Sequence, residues 1–250
     1  MTRNETKRTI MTNAANHWDA RRGPNAVSPS SRKEAVRTEI RRAIIEGALT
    51  PGQKLTEMEL AAALKVSRPT LREALNQLAR EGLLIQEPYR GLHVAEVTHQ
   101  EMRDIARVRL HLDSLAIDEI LADESGERLS LVESGWERFR SAALDPDPVV
   151  QHDAHVAFHR QIWAASGNFL LLKLWPVTEA HLTLALAEDQ ATRSDPPRAL
   201  RLHEKLMTAI RTRDRAVIHD ALVHHTIDSA EDLIAQLSQA EIARHGAVIS

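Results

Sequence analysis

The stretch from 56 to 94, TEMELAAALKVSRPTLREALNQLAREGLLIQEPYRGLHV, limits the fold of this chain more than any other. Two short amphipathic helices flank a tight turn, and two short apolar segments with a polar tip between them follow. Thr56 and Glu59 have capping-box spacing ahead of a helix whose Leu60, Ala61 and Leu64 share one face. That helix is expected to end near Lys65. After Val66, Ser67 is placed to act as N-cap and Pro69 falls in the first turn, where its missing N–H breaks no bond. The second helix sets Leu71, Ala74, Leu75 and Leu78 on one face and Arg68, Thr70, Arg72, Asn76 and Arg80 at other positions, and Gly82 suits its C′ position. Residues 83–86 and 92–97 read as strands joined through Glu87, Pro88, Tyr89, Arg90 and Gly91. This is the order of a winged helix-turn-helix.

A helix of this diameter fits the major groove of DNA, where Arg and Thr at its start reach base edges. Its N-terminal N–H groups also face a phosphate favourably. Against this stands the ordinary fate of surface arginines, a solvated helix face. The full sequence of helix, turn, helix and wing favours DNA. Charge agrees: residues 1–96 hold 16 Lys and Arg against 11 Asp and Glu, net +5, and residues 97–250 hold 16 against 24, net −8. The basic part contains the helix-turn-helix.

The run from 36 to 97 resembles the DNA-binding domain of GntR-family bacterial transcriptional regulators, through PGQKL, SRPTLREAL, REGLL and YRGLHV. The resemblance implies operator contacts by Ser67, Arg68, Thr70 and Arg72 on the second helix and by Arg90 and Gly91 on the wing. Two positions depart from the family pattern. Lys65 stands where the turn commonly has Gly, which implies a mild cost of left-handed backbone. Met58 replaces a residue that is often Arg.

At 250 residues the chain is too long for a winged helix alone, so a second domain is expected. Hydrophobic residues make up 43% and aromatic ones 3%, so Leu, Ala, Ile and Val carry most of the packing, a composition that favours helices. The absence of cysteine excludes disulfides and thiolate metal sites. No apolar run of roughly 20 residues and no signal-peptide pattern is evident, and the expectation is a cytoplasmic protein without a membrane partner. Helices are expected over 99–124, 128–143, 147–166, 168–190, 196–212 and 214–240, broken at Ser125-Gly126, Asp145 to Pro148, Ser166 to Asn168 and Asp195 to Pro197. The fold class is mainly α: a winged helix-turn-helix of three helices and a short β-hairpin, joined to an all-α bundle. The expected divisions are a mobile arm over 1–31, the DNA-binding domain over 32–97, an effector and dimerisation domain over 98–240 and a tail over 241–250.

The chemistry of the second domain lies in its histidines. In HDAHVAFHRQIW, His152, His155 and His159 are spaced i, i+3 and i+7 along a helical stripe, and His155 and His159 are one turn apart, as a shared metal ion requires. His203 and the pair His224-His225 lie on later helices, and a folded bundle can bring such side chains around one ion. Imidazole suits zinc, nickel, copper or iron. His17, His99, His111, His181, His219 and His245 read instead as surface or hydrogen-bonded residues.

The order FHRQIWAASGN, HEKLMTAI and then the helix from Asp214 to His225 resembles the FCD effector domain of the FadR subgroup. Many such domains hold a metal by one Asp and three His. Carried over residue by residue, the resemblance places His159, His203 and His225 as ligands, with His155 at the position normally held by Asp. It thus implies a four-histidine centre for a divalent transition metal, zinc or nickel foremost, with an anionic effector such as an organic acid completing the coordination. Asp153, six residues from His159, is off its stripe and is no replacement carboxylate. Arg109 and Asp113 match an Arg and an acid that recur in the first effector-domain helix. Arg109 is therefore a candidate for the effector carboxylate, although an ion pair between the two explains them equally well. Family members are homodimers, which implies a pseudo-palindromic operator and effector-controlled DNA affinity. The other readings are a metal-free pocket in which histidines bind the effector directly, a DNA-binding protein with a purely structural bundle, and a metal-dependent hydrolase. The last lacks HExxH and any nucleophile in a recognisable setting.

Overall fold

The computed structural model of the chain describes residues 29–248 apart from 194 and 196. The expected arm lies outside these residues up to position 28, as does His17. Helix α1 (Pro29–Ile45) leads into strand β1 (Lys54–Leu55), then α2 (Glu57–Ala63), α3 (Arg68–Arg80), β2 (Leu84–Glu87) and β3 (Gly91–Val94). The sheet has the order β1-β3-β2, with Lys54 opposite His93 and Leu84 opposite Val94, both pairings antiparallel. The short strand in PGQKL is an addition to the expected hairpin. Its two residues carry too little alternation to be read from sequence.

The turn chemistry of the helix pair follows the sequence with one exception. The Ser67 hydroxyl accepts from Thr70 N–H at 3.3 Å, with Pro69 in the first turn. Lys65 adopts φ 51°, the left-handed backbone that its family position implies. Thr56 is the N-cap of α2 in extended backbone, yet its side chain makes no capping bond. The capping box forms instead at Thr98, where Glu101 N–H donates to the Thr98 hydroxyl at 3.2 Å and Thr98 N–H donates to the Glu101 carboxylate at 2.8 Å. Leu71, Ala74, Leu75 and Leu78 are all buried against Val36, Ile40 and Ile44 of α1 and Leu84 and Val94 of the wing. Each leucine so buried contributes about 1.5–3 kcal/mol. Strand β3 stops at Val94 rather than 97. One further bond, Ala95 N–H to Leu83 carbonyl at 3.0 Å, closes the hairpin before the chain leaves for the next helix.

The second region has no strand among its described residues. It comprises α4 (His99–Leu121), α5 (Glu127–Ala142), α6 (Pro148–Ala165), α7 (Phe169–Arg193), α8 (Pro197–Thr212), α9 (Arg215–Val223), a π-helical turn (His224–Asp228) and α10 (Ser229–Val248). The single helix expected over 214–240 is thus interrupted by a π turn, and helix continues through much of the expected tail. Buried His225 and Thr226 are adjacent inside that turn, where the wider winding re-aims side chains inward. The scarce aromatic residues are concentrated here: Trp136, Phe139, Phe158, Trp163 and Trp175 share one core with Ile117, Ile120, Val156, Leu206 and Met207.

Helix α7 joins the two regions. Leu171, Trp175 and Leu182 pack into the bundle, whereas Leu184, 3% exposed, belongs to the core of the winged unit. Gly82, at φ 81° just after α3, lies so close that a Cβ there would sit 3.0 Å from the Ala180 side chain. By length and composition residues Phe169–Gln190 are apolar enough to cross a membrane, contrary to the reading of the sequence. Only part of that apolar surface serves the two cores, and Phe169, Leu170, Leu172, Leu174 and Val177 of the same helix are exposed. Two ion pairs lie alongside: Arg41 to Asp153 at 2.7 Å and Arg42 to Asp147 at 2.9 Å, from α1 to α6.

Candidate metal and DNA sites

Three helical elements deliver a cluster of four histidines. Helix α6 supplies His155 and His159, α8 supplies His203 and the π turn supplies His225, all buried. His159 Nε2 lies 3.0 Å from His203 Nε2 and 3.3 Å from His225 Nε2. The His155 and His203 ring centroids are 4.4 Å apart. One donor atom from each of His155, His159 and His203 falls within 4.8 Å of the others. His152, expected on the same stripe, is buried one turn earlier. It turns to Asp153 at 3.3 Å, whose carboxylate also meets Arg41, and so stands apart from the cluster.

The donor set suits a transition metal. Nitrogens that bind one tetrahedral ion at 2.0–2.1 Å sit about 3.3 Å apart, close to the 3.0 and 3.3 Å that separate His159 Nε2 from those of His203 and His225. His203 Nδ1–H donates to the Ala199 carbonyl at 2.7 Å, which orients its ring and leaves the Nε2 lone pair facing the cluster. Burial pushes His155, His159 and His225 well below the ordinary imidazole range, reinforced at His159 chiefly by Arg109 and at the other two chiefly by His203. Burial likewise lowers His203 to about 4. The rings are therefore neutral near pH 7 and retain lone pairs for a cation. Phe139 packs against His203 with centroids 4.7 Å apart and closes one side.

Beside the cluster is a cavity of about 130 Å³, lined by Arg109, His155, His159, His203, His225, Leu182, Leu186 and Leu233 among others. Arg109 Nη2 donates to Asp113 Oδ2 at 3.2 Å and contacts His159 Nδ1 at 3.2 Å. Asp113 is fixed in turn by the Trp163 indole N–H at 2.6 Å. The ion pair and the cavity position are thus both present. Arg109 Nε is buried with no hydrogen-bond partner, an unspent donor. Sequence reasoning missed Arg198, a second cation lining this cavity, and His181, which lines it from α7. Arg198 lies five residues before His203, but no local pattern says that both face one cavity.

At the other end, Ser67, Arg68 and Arg72 are exposed at the start of α3, with Thr70 beside them and Gly91 and Arg90 at the wing. Ser67 and Thr70 hydroxyls are 2.8 Å apart. Arg72 is held by Glu57 through two bonds at 2.7 and 3.2 Å, and Arg90 by Glu87 at 2.9 Å. Tyr89, fully exposed, has φ 65° and Gly91 has φ 84°, which turns the wing tip outward. Met58, where an arginine is frequent, is also exposed.

Residues 32–94 match the family of bacterial regulatory proteins called gntR, and residues 104–228, half of the chain, match the FCD domain. The chain belongs to the GntR family, with an FCD domain. This GntR regulator is 28% identical to a gluconate operon transcriptional repressor of Bacillus subtilis (strain 168), over 87% of this chain and 92% of that one. It is also 28% identical to a probable D-xylose utilization operon transcriptional repressor of Paenarthrobacter nicotinovorans, over 73% and 80%. Its fold is that of a putative GntR regulator from Rhodococcus sp. RHA1, at TM-score 0.64 and 24% identity over 82% of this chain and 98% of that one. E. coli McbR/YncC has the same fold, at TM-score 0.61 and 20% identity over 83% and 99%. A GntR regulator with an FCD domain is a DNA-binding transcription regulator and not an enzyme, which sets aside the hydrolase reading.

Proposed function

We propose that this chain is an effector-responsive transcriptional repressor that acts in the cytoplasm as a homodimer on a pseudo-palindromic operator. Residues 32–97 form the DNA-binding domain and 98–240 the effector domain, extended by the rest of α10. Ser67, Arg68, Thr70 and Arg72 enter the major groove and Arg90 and Gly91 follow the backbone from the wing. His155, His159, His203 and His225 would hold a divalent transition metal, zinc or nickel, which would supply positive charge and Lewis acidity towards an anionic effector. Arg109 takes the second end of a small organic acid. With histidine in place of the usual acid at 155, four neutral ligands leave the full charge of a divalent ion to attract that acid. The names of the relatives favour the repressor reading and an effector drawn from sugar or sugar-acid chemistry.

The convergence of three Nε2 atoms beside Arg109 carries this reading. Helix α7 supplies the coupling, since Leu182 lines the cavity while Leu184 sits in the winged-unit core. An effector that binds one seating of α7 better shifts operator affinity, and the operator shifts effector affinity equally. Metal analysis of the purified protein, joined to a thermal-shift screen of small carboxylates with and without zinc, tests it. One metal per chain, lost in His159→Ala, and an acid that stabilises only the metal-loaded protein are expected. Metal at background, unchanged by that substitution, would favour the metal-free pocket.

A further inference from the structure

A guanidinium has no acceptor, so the 3.2 Å contact between Arg109 Nη2 and His159 Nδ1 has one polarity: arginine donates and the ring accepts. His159 Nδ1 therefore carries no proton. In a neutral ring the proton then sits on Nε2, which faces His203 Nε2 at 3.0 Å. His203 keeps its own proton on Nδ1 for the Ala199 carbonyl, so its Nε2 is the acceptor. One chain of donors runs from Arg109 through His159 and His203 to that carbonyl. It occupies the two Nε2 positions that ligation requires.

We propose that Arg109 is a lock on the histidine centre: its bond to His159 Nδ1 and ligation through His159 Nε2 exclude one another. Loading the centre moves the His159 proton to Nδ1 and expels Arg109 from that ring. This rests on the metal reading above, and it concerns a step that the ligand set alone does not contain. Asp113 is placed to take over the bond. Its Oδ2 is the other partner of the same Nη2, while Trp163 holds Oδ1 and keeps the carboxylate from turning away. A carboxylate on the outer nitrogen is the usual partner of a ligating histidine, whereas a guanidinium there is incompatible with it. Arg109 already lines the cavity with an unpartnered Nε, so the donor it withdraws from His159 becomes available on the effector side. Metal loading and acid binding thereby favour each other through one residue.

The test is nitrogen NMR of the full-length protein labelled at histidine, free and with zinc alone, with His159 assigned by its loss in His159→Gln. The expected result is an unprotonated Nδ1 in the free protein and a protonated Nδ1 with zinc bound at Nε2. Protonated Nδ1 in both states overturns the lock while leaving the metal reading intact, and so does unprotonated Nδ1 in both. Absence of any zinc-induced change at these rings overturns both. Calorimetry provides the second arm: Arg109→Leu should bind zinc about tenfold more tightly, a gain of about 1.4 kcal/mol. Arg198→Leu removes the same charge from the same cavity but from a residue paired with Asp189 and Asp232. Equal tightening in the two variants reduces the effect to charge and overturns the lock.

Discussion

The winged unit and the helical bundle solve opposite problems with similar helices. The winged unit has an aliphatic core of Val, Ile, Leu and Ala, and its candidate functional residues lie at or near its surface, with Arg72 tied to Glu57 and Arg90 to Glu87. The bundle buries its candidate site: four histidines and an arginine–aspartate pair sit against Phe139, Phe158 and Trp163. A surface that reads a polyanion needs charge in water and a rigid support. A centre that holds a cation or a small acid needs neutral lone pairs and few competing waters, which burial provides by lowering the histidine pKa values. Exposed charges are also easily substituted without harm to the fold, whereas buried polar groups are coupled to it.

The largest effect is expected where the two regions meet. Leu184→Ala should cost about 3 kcal/mol, because it leaves a cavity in a core to which the bundle contributes this leucine. Urea unfolding reads it, and a loss under about 0.5 kcal/mol would separate the two regions. Next comes acid sensitivity of the metal-free protein. The unfolded His203 ring takes a proton near pH 6.5 and the folded one only near 4. Between those values the unfolded chain binds more protons, so stability is intact above about pH 6.5 and falls as pH drops towards 4. The loss from His203 alone is about 2 kcal/mol by pH 5, and a flat melting temperature from pH 7 to 5 would contradict a neutral buried cluster. Arg72→Ala should weaken operator binding about tenfold and leave effector affinity of the free protein unchanged. Loss of both would break the division of labour. The smallest change sharpens it: Glu57→Gln frees Arg72 from its carboxylate and should raise affinity for any DNA two- to threefold, roughly, at low salt, an increase that fades as salt is added.

Legibility in the sequence followed the range of the interactions involved. The Ser67 cap, the buried face of α3 and the helical character of the second region depend on neighbours within a few residues and are readable, whereas the left-handed Lys65 was implied by the family resemblance. Even there, Thr56 and Thr98 present the same spacing to an acid, and only Thr98 forms the box. The ring cluster was accessible only in part. Spacing joined His155 to His159, and the family resemblance supplied His203 and His225. Neither indicated Arg198 or His181 in the cavity wall, nor the π turn that carries His225.

By itself, then, the sequence determined a winged helix-turn-helix, an all-helical partner and the residue types available for chemistry. Capping, periodicity and turn residues act over one or two helical turns and are written in order along the chain. Tertiary structure alone decided that α7 belongs to two cores and that His152 stands apart from the cluster. It also set Arg109 against His159 across 50 positions. Those outcomes come from packing between distant segments, where direction and depth of burial matter and spacing along the chain carries no information.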